Sequence, residues 1–169
     1  MNSRSFSWLV IFSIIITSGI IACLFFIANN QLNQPTNIIL AQTALINYFD
    51  LLNNKQYSQA IIYHGSGYAG LREWNPDLPG DNYLALLKLG CEQNGWRCLK
   101  IKKVLTSEQF SPNEFSFIVQ FQNNDGGLFK LGPCCGEDKN SQLAQTDFEY
   151  TVKKIGGKFS VETPPVYGP

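Results

Sequence analysis

Four of the five cysteines follow residue 90, and they carry the most specific chemistry in the sequence. They are Cys91, Cys98, Cys134 and Cys135. An even number of cysteines is typical of a disulfide framework when a small domain is exported from the cytoplasm. A four-cysteine zinc site is an alternative, but such sites usually contain paired Cys-x-x-Cys motifs, which this sequence lacks. Free or redox-active thiols are the third interpretation, and thioredoxin-type chemistry would also require Cys-x-x-Cys.

Adjacent cysteines rarely bond to each other, because the eight-membered ring strains the peptide unit between them. If all four cysteines are oxidised, we therefore expect Cys134 and Cys135 to bond to Cys91 and Cys98. This crossed pairing would tie a long loop to a corner between a helix and a strand. Closing a loop of about forty residues would stabilise the fold by a few kcal/mol.

The only histidine, His64, begins a glycine-rich segment. A single histidine excludes a cluster of histidines around a metal, and the acidic residues do not have the spacing of a calcium loop. Gly65–Gly70 fits the pattern G-x-G-x-x-G, but a dinucleotide site requires a strand before it and a helix after it within a βαβ unit. Pro76 and Pro79 follow instead. The sequence therefore predicts no metal site, no cofactor and no catalytic residue.

Composition and charge exclude several classes of protein. The chain has 169 residues, of which 44% are hydrophobic and 15% charged, and thirteen basic side chains balance thirteen acidic ones. This balance argues against a nucleic-acid partner. Without its apolar N-terminal segment the chain retains about 135 residues, which suffice for one modest core. A multi-domain enzyme, a repeat array and a disordered chain are therefore excluded.

The apolar N-terminal segment predicts a helix that spans a membrane. Seventeen of the twenty-one residues from Trp8 to Ala28 are apolar, and a helix of this length spans roughly 30 Å, the thickness of the hydrocarbon core of a bilayer. Arg4 precedes the segment, and the next basic residue is Lys55. The positive-inside rule therefore places the N-terminus in the cytoplasm and the rest of the chain outside.

Two other interpretations of this segment stay open. A cleaved signal peptide usually has a shorter apolar stretch and then a small-residue cleavage site. A bacterial lipoprotein is the second, because Gly19–Cys23 (GIIAC) resembles a lipobox, although apolar residues follow it. A cysteine buried in a spanning helix is the simpler explanation of Cys23. All three interpretations export the rest of the chain.

We therefore predict a single-pass protein of the plasma (inner) membrane, with the lipid bilayer as a partner of its N-terminal helix. Its predicted parts are a cytoplasmic stub (1–7), the transmembrane anchor (8–28), a polar stalk (29–37), an extracytoplasmic domain (38–165) and a short tail (166–169).

The first half of the predicted domain has helical periodicity. Apolar residues three or four positions apart predict a helix over 38–52 and a shorter one over 56–63. Residues 64–80 contain four glycines and two prolines and are predicted to be a loop. Asp81 is the predicted N-cap of a third helix that buries Leu84 and Leu87.

The second half alternates between apolar and polar residues, as half-buried strands do. Strands are predicted over 96–105, 115–121, 148–152 and 159–161, with a hairpin at Gly156 and Gly157 between the last two. Helices that precede a series of antiparallel strands indicate an α+β fold, in which the helices pack on one face of the sheet.

The segments ALINYFDLLNNKQYSQA (44–60) and FEYTVKKIGGKFSVETPP (148–165) resemble the first helices and the terminal hairpin of the nuclear-transport-factor-2-like superfamily. The resemblance implies a strongly bent antiparallel sheet that wraps around the helices as a cone, with a pocket at the open end. The superfamily contains isomerases, dehydratases and many non-enzymatic domains, so membership would not by itself define the function.

The resemblance also implies that the loop after the second helix lies near the open end. Four side chains there combine apolar area with a polar tip and are the candidate ligand-binding residues. They are Tyr63, His64, Tyr68 and Trp74. Enzymes of the superfamily place carboxylate, tyrosine or histidine groups in the cone, but none of their motifs maps onto this chain. We expect a membrane-anchored module that binds a small ligand or a membrane protein without catalysis; an extracytoplasmic isomerase or dehydratase that uses a pocket carboxylate is the alternative.

Overall fold

A computed structural model describes residues 37–65, 69–132 and 144–168. The predicted transmembrane segment (8–28) lies outside these residues, as do Tyr68, Cys134 and Cys135. Within the three described ranges, no helix is both long enough and apolar enough to cross a membrane.

Four α-helices precede the sheet in the described part of the chain. Helix α1 covers residues 37–53, α2 is Tyr57–Ala60 and continues as a 3-10 turn at Ile61–Tyr63, α3 is Ala69–Trp74, and α4 is Tyr83–Glu92. The helices predicted over 38–52 and 56–63 are confirmed, as is the third helix predicted to follow Asp81. The loop prediction for residues 64–80 is wrong where α3 forms, because this six-residue helix buries only Leu71 and so has no apolar stripe that could reveal it.

The start of α4 corrects two further expectations. The N-cap is Asn82 and not Asp81, since the Asn82 side chain accepts a hydrogen bond of 3.2 Å from the backbone N–H of Ala85. Leu84 is 45% exposed, whereas Leu86 and Leu87 are fully buried. The helix is therefore rotated relative to the prediction.

The sheet has four antiparallel strands in the order of the chain. They are β1 (Lys100–Ser111), β2 (Glu114–Gln122), β3 (Phe148–Ile155) and β4 (Lys158–Val161). Gly156 and Gly157 have φ angles of +57° and +83°, the left-handed conformation that a tight hairpin between β3 and β4 requires. This architecture confirms the predicted α+β class and the predicted hairpin. The pairing of β1 with β2 contains three shifts of register. A strand bends at such irregularities.

Helix α1 packs its apolar stripe against the inner face of the sheet. Tyr48 and Phe49 are fully buried, and the Phe49 ring lies 4.9 Å from the rings of both Phe121 and Tyr150 in edge-to-face geometry. Fully burying one such side chain contributes about 1.5–3 kcal/mol. The apolar side chains of α1 and the buried side chains of β2 therefore pack in one core.

The domain has two ends, and each end contains different turns. Gln42 near the start of α1 accepts a hydrogen bond of 3.1 Å from Ser107, and Asp50 lies 3.8 Å from Lys100, so α1 runs opposite to β1. The start of α1 therefore lies with the β1–β2 turn and the β3–β4 hairpin. We call residues 37–40, 108–114 and 153–158 the hairpin end, and residues 50–55, 91–100 and 122–131 the disulfide end.

Candidate functional site

Two adjoining grooves run along α1 and together form what we call the α1 groove. One half, of about 480 Å³, lies between α1 and residues 56–63. The other half, of about 430 Å³, lies between α1, the 3-10 turn and the start of β4. Asn47, Ile62 and Tyr63 line both halves. Tyr63, a predicted ligand-binding residue, therefore stands at the junction.

The two halves of the α1 groove differ in chemistry. The half beside β4 is mainly apolar, with Leu40, Ala44 and Phe159 in its wall and the cationic Lys158 at its edge. The half beside α2 is rich in amide side chains and includes Asp50, which forms an ion pair with Lys100. Such a groove can hold an amphiphilic ligand, because it offers an apolar surface, amide hydrogen-bonding groups and a cation.

His64 follows Tyr63 directly but turns into the protein. Its backbone forms a parallel bridge with Val161 at the end of β4, and the N–H of Gly65 donates a hydrogen bond of 2.8 Å to the Val161 carbonyl. The imidazole therefore points away from the α1 groove: His64 lines neither half of it.

A buried tyrosine and a tryptophan surround the His64 ring. The Tyr48 hydroxyl and Nδ1 of His64 share a hydrogen bond of 2.6 Å, and the Trp96 ring is stacked on the imidazole with centroids 6.4 Å apart. Burial lowers the pKa of His64 from 6.5 to about 3, because the charged form loses its hydration. His64 is therefore neutral near neutral pH.

A carboxylate packs against the backbone of Gly65, the residue that follows His64. One oxygen of Glu162, Oε1, is buried, and a side chain at Gly65 would collide with the Glu162 carboxylate. The glycine after His64 thus leaves room for a glutamate side chain to fold over the backbone. Tyrosine, histidine and glutamate are groups that can donate or accept a proton, and a strongly shifted pKa at such a cluster is a recognised signal of a functional site.

The cysteines are paired differently from the prediction. Cys91 at the end of α4 forms a disulfide with Cys98, and the two Cα atoms are 5.5 Å apart. The crossed pairing of these residues with Cys134 and Cys135 is therefore wrong. The physical reason is local: α4 ends at Glu92, and Gly95, with a φ of +81°, reverses the chain so that Cys98 returns to the helix. The prediction that these cysteines form a disulfide is confirmed for Cys91 and Cys98. Cys134 and Cys135 lie outside the described residues.

Trp74, another predicted ligand-binding residue, lies on α3 away from the α1 groove. It is 51% exposed, and its ring lies 5.5 Å from the ring of Tyr167 in the C-terminal segment. That segment is held near the disulfide, since Val166 accepts a hydrogen bond of 2.7 Å from the N–H of Arg97. Trp74 thus joins α3 to the C-terminal segment, and it lines neither half of the α1 groove.

Sequence reasoning did not identify most of the groove. Ile62, Asn47 and Lys158 were not candidates, because each is unremarkable in its own segment. The one available signal was Ile62, an isoleucine that lies off the buried face of its short helix and is 63% exposed. The Tyr48–His64 pair also left no signal, since sixteen residues separate its members.

Comparisons with known proteins do not assign the chain to a family. No family model matches it, and no curated protein matches it either. Among the described residues, no group of three or more histidine, cysteine, aspartate or glutamate side chains could hold a metal ion. The function therefore has to be argued from the α1 groove and the Tyr48–His64 pair.

Proposed function

We propose that the chain is a membrane-anchored, extracytoplasmic binding module and that the α1 groove is its binding site. The observation that carries this proposal is the position of Tyr63 at the junction of two grooves of about 480 and 430 Å³. Each volume lies within the range of about 300–1,000 Å³ that is typical of ligand sites. The apolar N-terminal segment of the sequence supports the anchor and the export of the domain.

The proposed ligand is amphiphilic: either a small molecule or a segment of a membrane protein. Its apolar part would pack on Leu40, Ile62 and Phe159, and an anionic or hydrogen-bonding group would lie between Lys158 and Asn47. A mixture of apolar area with a few polar groups is characteristic of sites that bind small ligands.

The proposed family is the nuclear-transport-factor-2-like superfamily. The element order supports it, since helices precede a sheet whose four strands pair consecutively. The three register shifts in β1 support a bent sheet of the kind that forms a cone, because bulges increase the bend and twist of a strand.

A photo-crosslinking experiment tests the groove in the full chain within its own membrane. A photoreactive phenylalanine analogue in place of Tyr63 should capture a discrete partner or ligand, whereas the same group in place of Tyr83, 38% exposed on α4, should not. The variant Thr43→Trp should block capture by filling the groove, and Thr106→Trp, also at an exposed position, should not. Equal patterns from positions 63 and 83 would contradict the proposal.

A second candidate function, an isomerase- or dehydratase-like enzyme, is favoured by the Tyr48–His64 hydrogen bond and by the Glu162 carboxylate against Gly65. The full chain would be screened for turnover of small hydroxy- and keto-compounds. Turnover that is abolished by Glu162→Gln and by His64→Gln, but retained by Tyr63→Phe, would overturn the non-catalytic proposal. Because these three substitutions are small, circular dichroism of each variant establishes that lost turnover does not reflect lost structure.

A further inference from the structure

We propose that the hairpin end of the domain lies on the membrane surface, where its exposed apolar side chains enter the headgroup region and its lysines contact anionic phospholipids. This inference rests on the proposed membrane anchor; the hairpin end shares Leu40 and Lys158 with the α1 groove, and the variants that test it leave both residues unchanged.

The first observation is a set of exposed apolar side chains on three separate elements. Ile39 at the start of α1 is 62% exposed, Phe110 near the β1–β2 turn is 65% exposed, and Ile155 at the β3–β4 hairpin is 60% exposed. Single exposed apolar residues are ordinary, but several at one end of a domain mark an interaction surface.

The second observation is that the two turns lie side by side. The backbone N–H of Lys154 donates a hydrogen bond of 2.8 Å to the carbonyl of Asn113 in the β1–β2 turn. Ile155 pairs with Lys158 across the hairpin, and Lys158 lines the same groove as Leu40 of α1. The start of α1, the β1–β2 turn and the β3–β4 hairpin therefore belong to one end of the domain.

The third observation is the charge around Ile155. The hairpin has the sequence KKIGGK, so that Lys153, Lys154 and Lys158 flank an exposed isoleucine. Lys153 lies 4.0 Å from Glu114 in an ion pair whose two side chains are each more than 40% exposed, and such pairs are weak. An apolar tip flanked by lysines is typical of segments that lie in the interface of anionic membranes.

The length of the chain before α1 favours the bilayer as the occupant of this surface. The predicted transmembrane segment ends at residue 28, and the stalk of nine residues (29–37) can reach about 30 Å at most when fully extended. The chain thus enters the domain at the hairpin end, a short distance after the predicted anchor. A tether that enters at the end with exposed apolar and basic side chains holds that end close to lipid headgroups.

Hydrogen–deuterium exchange of the full chain in lipid nanodiscs tests this orientation. Exchange would be compared between discs of phosphatidylcholine and discs that also contain phosphatidylglycerol. We expect the peptides that cover residues 108–113 and 153–158 to exchange several-fold more slowly in the anionic discs. Peptides from the disulfide end, such as residues 122–131, should exchange equally in both.

Two matched pairs of variants identify the side chains that cause the slower exchange in anionic discs. Lys153→Gln with Lys154→Gln should remove the lipid dependence, whereas Lys102→Gln with Lys130→Gln, on exposed residues at or next to the disulfide end, should retain it. Ile155→Ser with Phe110→Ser should reduce the protection, whereas Leu84→Ser, at an exposed position of α4, should not. Unchanged exchange in peptides from β2 shows that each variant is folded.

The other outcomes would overturn the proposal. Protection that increases with the number of chains per disc, whatever the lipid, would mean that a second copy covers the surface. Equal protection in both lipids at one chain per disc would mean that the lysines do not contact anionic phospholipids as proposed, and equal, fast exchange would mean that nothing covers the surface. A chain that does not remain in the discs would contradict the anchor instead, and photo-crosslinking from position 63 tests the α1 groove separately.

Discussion

Tyr63 and His64 are neighbours in the chain, but their side chains lie in different surroundings. Tyr63 lies in the wall of an open groove with apolar, amide and cationic side chains. His64 is held against Tyr48 and Trp96, and burial keeps it neutral. The two residues were equivalent candidates as loop side chains with a polar tip. Both side chains are half-buried, so their difference shows that neighbours in the fold, more than residue type or exposure, distinguish them.

The cause of this difference is the backbone after the 3-10 turn. Tyr63 ends the 3-10 turn, whereas His64 is extended and its backbone is held beside β4 by the bridge to Val161 and the hydrogen bond from Gly65. The His64 ring therefore meets Tyr48 on the buried face of α1, and Tyr63 lines the groove. Substitutions at position 64 should therefore act mainly on stability, and substitutions at position 63 mainly on binding.

The largest expected effect is that of removing the imidazole. His64→Ala should lower the free energy of unfolding by about 2–4 kcal/mol, because it leaves a cavity beside Trp96 and removes the hydrogen bond to Tyr48. Urea denaturation of the full chain in detergent micelles measures this change. Tyr63→Ala is the matched control and should lower the free energy of unfolding by less than half as much. Equal losses of stability would contradict the proposed difference between His64 and Tyr63.

Acidification should have the next largest effect. The folded-state pKa of His64, about 3, lies below the unfolded value of 6.5, so between these values the unfolded state binds more protons. Stability should therefore fall as the pH falls from 6.5 towards 3, with a contribution from this group of up to about 1.4 kcal/mol per pH unit. The difference between the native chain and His64→Gln, measured by denaturation from pH 7 to 4, isolates this contribution. A constant difference would show that His64 titrates normally in the folded state.

Removal of the Tyr48 hydroxyl should have a smaller effect. Tyr48→Phe keeps the ring in the core and leaves Nδ1 of His64 without its 2.6 Å partner, at an expected cost of about 1–2 kcal/mol. Tyr63→Phe makes the same chemical change at the groove and should alter the free energy of unfolding by less than about 0.5 kcal/mol. Thermal denaturation of the two variants would compare their stabilities directly. A larger loss of stability for Tyr63→Phe than for Tyr48→Phe would mean that the Tyr63 hydroxyl, and not the Tyr48 hydroxyl, stabilises the fold.

The smallest effect on stability should accompany the largest effect on binding. Lys158→Gln changes an exposed residue at the edge of the groove, so it should shift the free energy of unfolding by less than about 0.5 kcal/mol. Capture from position 63 should nevertheless weaken if the ligand is anionic. Retained capture would restrict the ligand to a neutral amphiphile, while Lys130→Gln serves as the control for a change of net charge.

Regular segments of the fold were predictable because their pattern and their packing agree. The spacing of Leu45, Tyr48 and Leu52 indicates one buried face of a helix, and the alternation from Phe115 to Phe121 indicates a strand with one buried face. The pair Gly156–Gly157 supplies the positive φ angles of a tight hairpin. In each case a local preference and burial in the core point to the same structure.

Predictions failed where one contact between distant segments, or one turn, decided the outcome. Helix α3 depends on a single buried residue, Leu71, and so has no period to detect. The pairing of Cys91 with Cys98 depends on the direction in which the chain leaves α4, which spacing alone does not specify. Ring strain disfavours a bond between Cys134 and Cys135 but does not determine how the chain turns between Cys91 and Cys98.

By itself, the sequence determined the α+β class, the main helix and strands, and an apolar N-terminal segment long enough to span a bilayer, because each depends on periodicity or length along the chain. Only the tertiary structure decided that His64 meets Tyr48, that Tyr63 joins two grooves, and that Phe110, Ile155 and the start of α1 share one end of the domain. Each of these depends on distances between segments that are far apart in the chain. Such distances are set by the packing of α1 across the sheet, which no local pattern encodes.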